Sequence, residues 1–150
     1  MASVLTKTIT VNTIGYQGMT VEGFIRHLKK EGVNMVVDVR AVPWSRKPGF
    51  NKAKLSIALS LEGIEYRHFP ELGIPSALRK QIDNYSELFK IYEESILPKV
   101  TDSVEQVLAL CEDHNIALMC FEEKPVECHR SRLSAYMAKC YGVKRHHIFR

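Results

Sequence analysis

Long apolar runs are missing from this chain of 150 residues. Its longest apolar stretches, residues 35–37 and 116–121, have the length of a buried strand and fall well short of the roughly 20 residues that a membrane-spanning helix needs. The N-terminus also lacks an apolar block that ends in a small-residue cleavage site, so no secretory signal is predicted. We therefore expect a cytoplasmic protein that makes no membrane contact.

Cysteine is too scarce for the disulfide framework of a small secreted protein. The four cysteines, at positions 111, 120, 128 and 140, are unevenly spaced, and no C-x-x-C pair occurs. Closed zinc sites usually contain two such short-spaced pairs, so the spacing predicts no metal site. In a reducing compartment all four are expected to be thiols. A disulfide between Cys120 and Cys128 would require their Cα atoms to lie close together in the fold.

Acidic residues are absent from two stretches, residues 39–61 and 128–150, although the net charge of the whole chain is only +4. These stretches carry cations alone, namely Arg40, Arg46, Lys47, Lys52 and Lys54, then Arg130, Arg132, Lys139, Lys144, Arg145 and Arg150. Most such side chains form a solvated surface. An anionic partner becomes the better interpretation if both stretches begin at the same edge of the fold.

Hydrophobic patterns predict strands that alternate with helices along the chain. Strands are predicted at residues 8–14, 35–39, 65–69, 116–120 and 146–149, and helices after Thr20 and Asn51, around residues 88–96 and 102–111, and at 127–141. Residues 40–50 contain two prolines and a glycine and are expected to form a loop. This order predicts a single α/β domain over residues 1–150, a three-layer αβα sandwich around a mostly parallel sheet of about five strands.

The carboxyl edge of such a sheet is the expected binding site, because helix N-termini there present their positive ends to anions. The strand assignments bring a defined set of residues to that edge: Gly15, Tyr16, Asp38, Arg40, Glu71, Gly73, Cys120, Phe121, Glu122, Glu123, Cys128, His129 and Arg130. Both acid-free stretches begin here. The sequence therefore predicts an anion-binding edge.

Cys120 and His129 are the candidate reactive groups at this edge. A thiol at a strand end that faces a helix N-terminus and a histidine would have thiolate character, and Cys–His pairs act as nucleophiles. The alternatives are a cysteine buried in the strand and a core histidine that donates to a backbone carbonyl.

Arg130 leans toward the sheet, where an unpaired guanidinium is costly. It needs either an anionic ligand or a carboxylate, for which Glu122, Glu123 and Asp38 are candidates. A structural Arg–Asp bridge is the alternative for both Arg130 and Asp38. In the loop at residues 40–50, Trp44 and Phe50 could stack on a base, or they could pin the loop to the core.

Several segments of the sequence resemble the signatures of one protein family. They are Thr13-Ile14-Gly15-Tyr16, Asp38-Val39-Arg40 with Pro43, Ser45, Phe50 and Asn51, Pro70-Glu71-Leu72-Gly73, and Leu118-Met119-Cys120-Phe121-Glu122 with Pro125 and Cys128-His129-Arg130. The family is the widespread, mostly prokaryotic Domain of Unknown Function 488. The resemblance implies a Rossmann-like fold and clustered signature residues, but no established reaction. One departure is Tyr16, where many members carry histidine.

The leading hypothesis is an enzyme, a hydrolase or transferase, that acts on a phosphate-bearing small molecule, a nucleotide or nucleic acid. Arg40 and Arg130 would hold the anion, Cys120 or Glu122 would supply the nucleophile or base, and His129 would transfer protons. The remaining candidate ligand contacts are Gly15, Tyr16, Asp38, Ser45, Glu71 and Cys128. Two alternatives stay open: a non-catalytic nucleotide or nucleic-acid binding module, and a thiol-redox or metal-responsive protein built on Cys120 and Cys128. No cofactor or oligomeric state is predicted.

Overall fold

A computed structural model of the protein describes residues 8–150. Five strands form one parallel sheet: β1 (Thr10–Gly15), β2 (Met35–Asp38), β3 (Glu65–His68), β4 (Ile116–Cys120) and β5 (Lys144–Ile148). Their order across the sheet is β3-β2-β4-β1-β5. The prediction about the secretory signal concerns residues 1–7, which lie outside the described residues.

Residues 8–150 form six α-helices: α1 (Val21–Lys30), α2 (Lys52–Ser60), α3 (Ser76–Gln81), α4 (Tyr85–Ile91), α5 (Thr101–Asp113) and α6 (His129–Tyr141). All of them except α3 cover the two faces of the sheet. One apolar cluster joins α1 and α2 to one face, through residues such as Phe24 and Leu55. A second joins α4, α5 and α6 to the other face, through residues such as Val107 and Leu133. The predicted three-layer αβα sandwich is therefore confirmed.

The central strands form where the sequence predicts them because both of their faces are covered by helices. Successive residues of β2 and β4 alternate between the two apolar clusters, and every residue of both strands is buried. A strand buried in this way has a continuous apolar sequence. The polar residue Asp38 ends β2 and therefore marks the carboxyl edge of the sheet.

Local signals set most of the helix ends. The Thr20 hydroxyl accepts the Gly23 amide, 3.1 Å away, and caps α1 as predicted. Gly142 ends α6 in the left-handed conformation, with φ of 75°. Helix α5 begins at Thr101, one residue after a 3₁₀ turn, and its start has no side-chain cap from the described residues.

Two elements differ from the prediction. Helix α3 was not predicted, because it has six residues and none of them is buried, so it leaves no apolar periodicity. Strand β5 begins two residues earlier than predicted, because it pairs only with β1 and its first three residues are exposed. Within residues 8–150, no helix combines the length and the apolarity needed to span a membrane.

The strand register brings three predicted site residues to one edge. Gly15 is paired with Cys120, and Asp38 with Met119, the residue before Cys120. The last residues of β1, β2 and β4 therefore lie side by side, and the chain segments that follow them surround one space at the carboxyl edge.

Candidate functional site

A cleft of about 320 Å³ lies at this edge, between the segments that follow β1, β2 and β4, helix α3 and the start of α6. Six of the predicted site residues line it: Tyr16, Arg40, Ser45, Cys120, Glu122 and His129. Cys128, Arg130, Gly15 and Asp38 lie behind its wall and are buried. Glu71 is exposed, in a 3₁₀ turn that does not line the cleft.

Asp38 and Arg40 form a buried, bidentate ion pair. The Arg40 side chain donates to the two carboxylate oxygens from Nε at 2.9 Å and from Nη2 at 2.7 Å, and its backbone amide donates at 3.0 Å. The Tyr66 hydroxyl is a further donor to the Asp38 carboxylate. Burial opposes the charge on Arg40, but the carboxylate outweighs it and raises the pKa of the guanidinium. This pair has the geometry of the structural bridge considered above.

The second terminal nitrogen of Arg40 ties the loop at residues 40–50 to the sheet. Nη1 donates to the Tyr16 hydroxyl at 3.1 Å and to the Phe50 carbonyl at 2.8 Å. The Tyr16 ring stacks on Phe50, with centroids 4.3 Å apart, and meets Phe121 edge-on. Phe50 therefore packs in the core, whereas Trp44 lines the cleft and is 59 % exposed.

Arg130 is fully buried and makes no ion pair with any carboxylate in the part of the chain that the structure describes. Its Nη1 donates to the Glu122 carbonyl at 2.5 Å and to Sγ of Cys120 at 3.4 Å, its Nη2 donates to the Glu123 carbonyl at 3.1 Å, and its Nε has no partner among the described residues. Burial lowers the pKa of Arg130 to about 10, although the Glu122 charge opposes this shift. The partners of Arg130 are thus two backbone carbonyls and a sulfur, none of which carries a full negative charge in the disulfide form.

Gly15 allows this arrangement because it has no side chain. A Cβ atom at this position would lie 1.8 Å from the Glu122 carbonyl oxygen and 3.0 Å from Nη1 of Arg130. The segment after β4 can therefore reach Arg130 only if residue 15 is glycine. Gly15 thus has a steric role: it leaves the space that the segment after β4 needs to form the wall of the cleft.

His129 presents an unprotonated ring nitrogen to the cleft. Its Nε2 donates to the Val39 carbonyl at 2.7 Å, so in the neutral ring Nδ1 carries the lone pair. Nδ1 lies 3.5 Å from Nη2 of Arg79 and 3.9 Å from Sγ of Cys128. Burial lowers the pKa of His129 to about 4, despite the hydrogen bond to Val39, so the ring is neutral at physiological pH.

The structure joins Cys120 to Cys128 in a disulfide, whereas Cys111 and Cys140 are free. The sequence predicted four thiols, but the structure has two, Cys111 and Cys140. Cys128 is also the N-cap of α6, where its Sγ accepts the backbone amide of Arg130 at 3.5 Å. Only Cys120 of the pair lines the cleft. A nucleophilic role for Cys120 therefore requires the reduced form.

Arg79, which the sequence did not single out, contributes a guanidinium to the cleft from α3. It is exposed, and within residues 8–150 it forms no ion pair with a carboxylate. In the sequence, Pro75 ahead of Ser76 indicates the start of a helix. It does not show where that helix lies in the fold, so Arg79 could not be assigned to the cleft. Glu122 lies on the same cleft, and burial raises the pKa of its carboxyl, against the effect of Arg79 and Arg130.

The fold and the cleft define an α/β protein in which arginine, histidine, cysteine and glutamate side chains meet at the carboxyl edge of a parallel sheet. The chain belongs to the family described as Domain of unknown function DUF488, which matches residues 20–137. This confirms the family resemblance. The matched region contains β2, β3 and β4 and most of α6, and so most of the cleft. No curated protein sequence matches the chain.

Proposed function

We propose that the protein binds a small phosphate-bearing anion in this cleft and that Arg79 is the cation in direct contact with it. The observation that carries the proposal is the guanidinium of Arg79, which lines the cleft without a carboxylate partner in the described part of the chain. Arg40, the first candidate for this role, has its donors committed to Asp38, Tyr16 and Phe50. Arg40 therefore shapes the cleft. Among residues 8–150, Arg79 makes only the 3.5 Å contact between its Nη2 and Nδ1 of His129, which leaves its other N–H groups for a ligand.

The charges around the cleft favour an anion. The Asp38–Arg40 pair is neutral in sum, which leaves Arg79 and the buried Arg130 as net positive charges. Glu122 lines the same cleft and opposes them, but burial disfavours its ionisation. A concave site with partly buried walls strengthens the resulting positive potential, because water screens it less.

The size and the aromatic wall of the cleft favour a mononucleotide or a smaller phosphate ester. Ligand pockets usually enclose about 300–1,000 Å³, so this cleft is at the small end of the range. Trp44 lies on the same wall as Ser45 and offers an exposed ring on which a base can stack. The Ser45 hydroxyl, which accepts the Lys47 amide at 3.1 Å, still has a proton to donate to a ligand.

For a catalytic function, His129 and Glu122 are the residues that would transfer protons. Nδ1 of His129 is a neutral acceptor, and the raised pKa of Glu122 favours a carboxyl group that can donate a proton. Both side chains line the cleft. A neutral acceptor beside a carboxyl donor suits hydrolysis or group transfer at a bound phosphate ester.

Arg79→Ala is expected to weaken the binding of inorganic phosphate and adenosine monophosphate about tenfold or more, since a hydrogen-bonded charge contributes about 1.5–3 kcal/mol. The measurement is the concentration dependence of the thermal unfolding midpoint with each ligand. Lys80→Ala is the matched control, because Lys80 is the next residue of α3, is exposed and does not line the cleft. The proposal fails if neither ligand raises the midpoint of the unaltered protein, or if both variants bind equally well.

A further inference from the structure

We infer that Cys120, Cys128 and His129 of the reduced protein bind one Zn²⁺ ion, with a fourth coordination position open to the cleft. The two Sγ atoms and a ring nitrogen of His129 lie within 4.8 Å of one another, and all three residues are buried. Thiolate sulfur and imidazole nitrogen are the ligands that zinc prefers in proteins. The zinc site goes beyond the proposed anion binding, because Arg79 is not one of its ligands. It shares His129 with the proposed proton transfer, and in the zinc-bound form Nδ1 of His129 holds the ion and does not accept a proton.

His129 is oriented as a metal ligand. Its Nε2–H bond to the Val39 carbonyl fixes the ring and leaves the lone pair of Nδ1 between Sγ of Cys128, 3.9 Å away, and Nη2 of Arg79, 3.5 Å away. Arg79 is exposed, so its side chain can move aside for an ion. Histidine ligands of metals almost always donate their other ring N–H to an oxygen in this way. The 3.9 Å between Nδ1 and Sγ of Cys128 is close to the roughly 3.6 Å between a nitrogen and a sulfur ligand on tetrahedral zinc.

The backbone separation of the two cysteines also suits a shared ion. Their Cα atoms are 7.3 Å apart, whereas disulfides usually join Cα atoms about 4.4–6.8 Å apart. Two thiolates on one tetrahedral zinc lie about 3.8 Å apart. A dithiol reductant supplies the two electrons and two protons that open the Cys120–Cys128 bond, and Zn²⁺ then displaces the two thiol protons.

Each sulfur already has an N–H donor from Arg130. The backbone amide of Arg130 lies 3.5 Å from Sγ of Cys128, and Nη1 lies 3.4 Å from Sγ of Cys120. Such donors stabilise thiolates, and the N-terminus of α6 adds its positive end at Cys128. Arg130, which has no carboxylate partner among residues 8–150, would thus have negatively charged sulfur beside its guanidinium.

The fourth coordination position opens on the cleft. Cys120 and His129 line the cleft, whereas Cys128 is completely buried behind them. Three protein ligands and one open position are typical of catalytic zinc, whereas structural zinc has four protein ligands. The two short-spaced cysteine pairs that this sequence lacks are typical of closed zinc sites, whereas an open site needs only three protein ligands.

The test is a cobalt titration of the full-length protein after reduction and removal of metals. We expect one equivalent of Co²⁺ to give a sulfur-to-cobalt charge-transfer band and the visible bands of tetrahedral cobalt, and Zn²⁺ to abolish both. Cys120→Ser or Cys128→Ser alone should weaken the charge-transfer band, the double variant should lose it, and His129→Gln should shift the visible bands. Cys140→Ser is the matched control and should behave like the unaltered protein, because Cys140 is exposed and lies outside the cluster.

X-ray absorption of the zinc-loaded, unaltered protein decides the question without any variant. Two sulfur ligands at about 2.3 Å and at least one nitrogen ligand at about 2.0–2.1 Å would support the site. Coordination by nitrogen and oxygen alone, the absence of cobalt or zinc binding after reduction, or a charge-transfer band that survives the loss of both cysteines would each overturn it. Because Arg79 is not a ligand, failure of the anion proposal leaves this result unaffected.

Discussion

Replacing Asp38 with alanine is expected to lower the free energy of unfolding by about 3–5 kcal/mol, because it leaves the Arg40 guanidinium buried without its counter-charge. The side chains of Asp38 and Arg40 are 0 % and 7 % exposed, so water cannot take over the role of the lost carboxylate. The same change removes the acceptor of the Tyr66 hydroxyl. The measurement is equilibrium unfolding in urea, followed by circular dichroism.

Glu62→Ala provides a matched control for this prediction. The Lys29–Glu62 pair has the same shortest distance as the Asp38–Arg40 pair, 2.7 Å, but its side chains are 52 % and 43 % exposed. Exposed pairs contribute about 0–1 kcal/mol, because water screens the charges and solvates the partner that remains. Similar losses for both variants would contradict the view that burial makes Asp38 essential to Arg40.

The Asp38–Arg40 pair also governs the cleft. Arg40 is the group that holds the Phe50 carbonyl and the Tyr16 hydroxyl, so the loop at residues 40–50 depends on it. Asp38→Ala should therefore reduce the binding of phosphate as well as stability, although Asp38 does not line the cleft. Arg79→Ala should reduce binding alone, since Arg79 is exposed. The comparison separates residues that shape the cleft from a residue that contacts the ligand.

The parts of the fold that could be predicted are those in which burial leaves a pattern in the sequence. β2 and β4 are continuous apolar runs because helices cover both of their faces. Once β2 and β4 are assigned, the segments that follow them can be predicted to bring Arg40, Cys120 and His129 to the carboxyl edge of the sheet. β5 and α3 have few or no buried residues, so their limits depend on packing that the sequence does not display.

The candidate site was predictable as a location but not as a set of contacts. Strand order cannot show whether a guanidinium meets a carboxylate or a carbonyl, since a rotation of one side chain decides between them. Arg130 was expected to need an anionic partner, and it instead donates to two backbone carbonyls. Arg79 could not be found, because the position of α3 over the cleft depends on tertiary contacts alone. The short distance between His129 and the two cysteines likewise depends on tertiary contacts and could not be predicted from the sequence.

Gly15→Ala is expected to lower the free energy of unfolding by about 3 kcal/mol or more, the upper part of the range for overpacked sites. The new Cβ would lie 1.8 Å from the Glu122 carbonyl oxygen, and a backbone atom cannot rotate away as a flexible side chain can. The segment after β4 must therefore move, which breaks the 2.5 Å bond between that carbonyl and Arg130. Equilibrium unfolding in urea measures the loss, and phosphate titration should show weaker binding.

Gly63→Ala separates this steric effect from the general cost of replacing a glycine. Gly63 has φ of 74°, and no heavy atom lies within 4 Å of an added Cβ, so the only penalty there is the left-handed backbone, about 1 kcal/mol. Gly15 does not have a left-handed φ, so alanine suits its backbone and the loss must come from the contacts of the new Cβ with Glu122 and Arg130. If Gly15→Ala cost no more than Gly63→Ala, the segment after β4 would be free to move. Arg130 would then not be what holds the wall of the cleft in place.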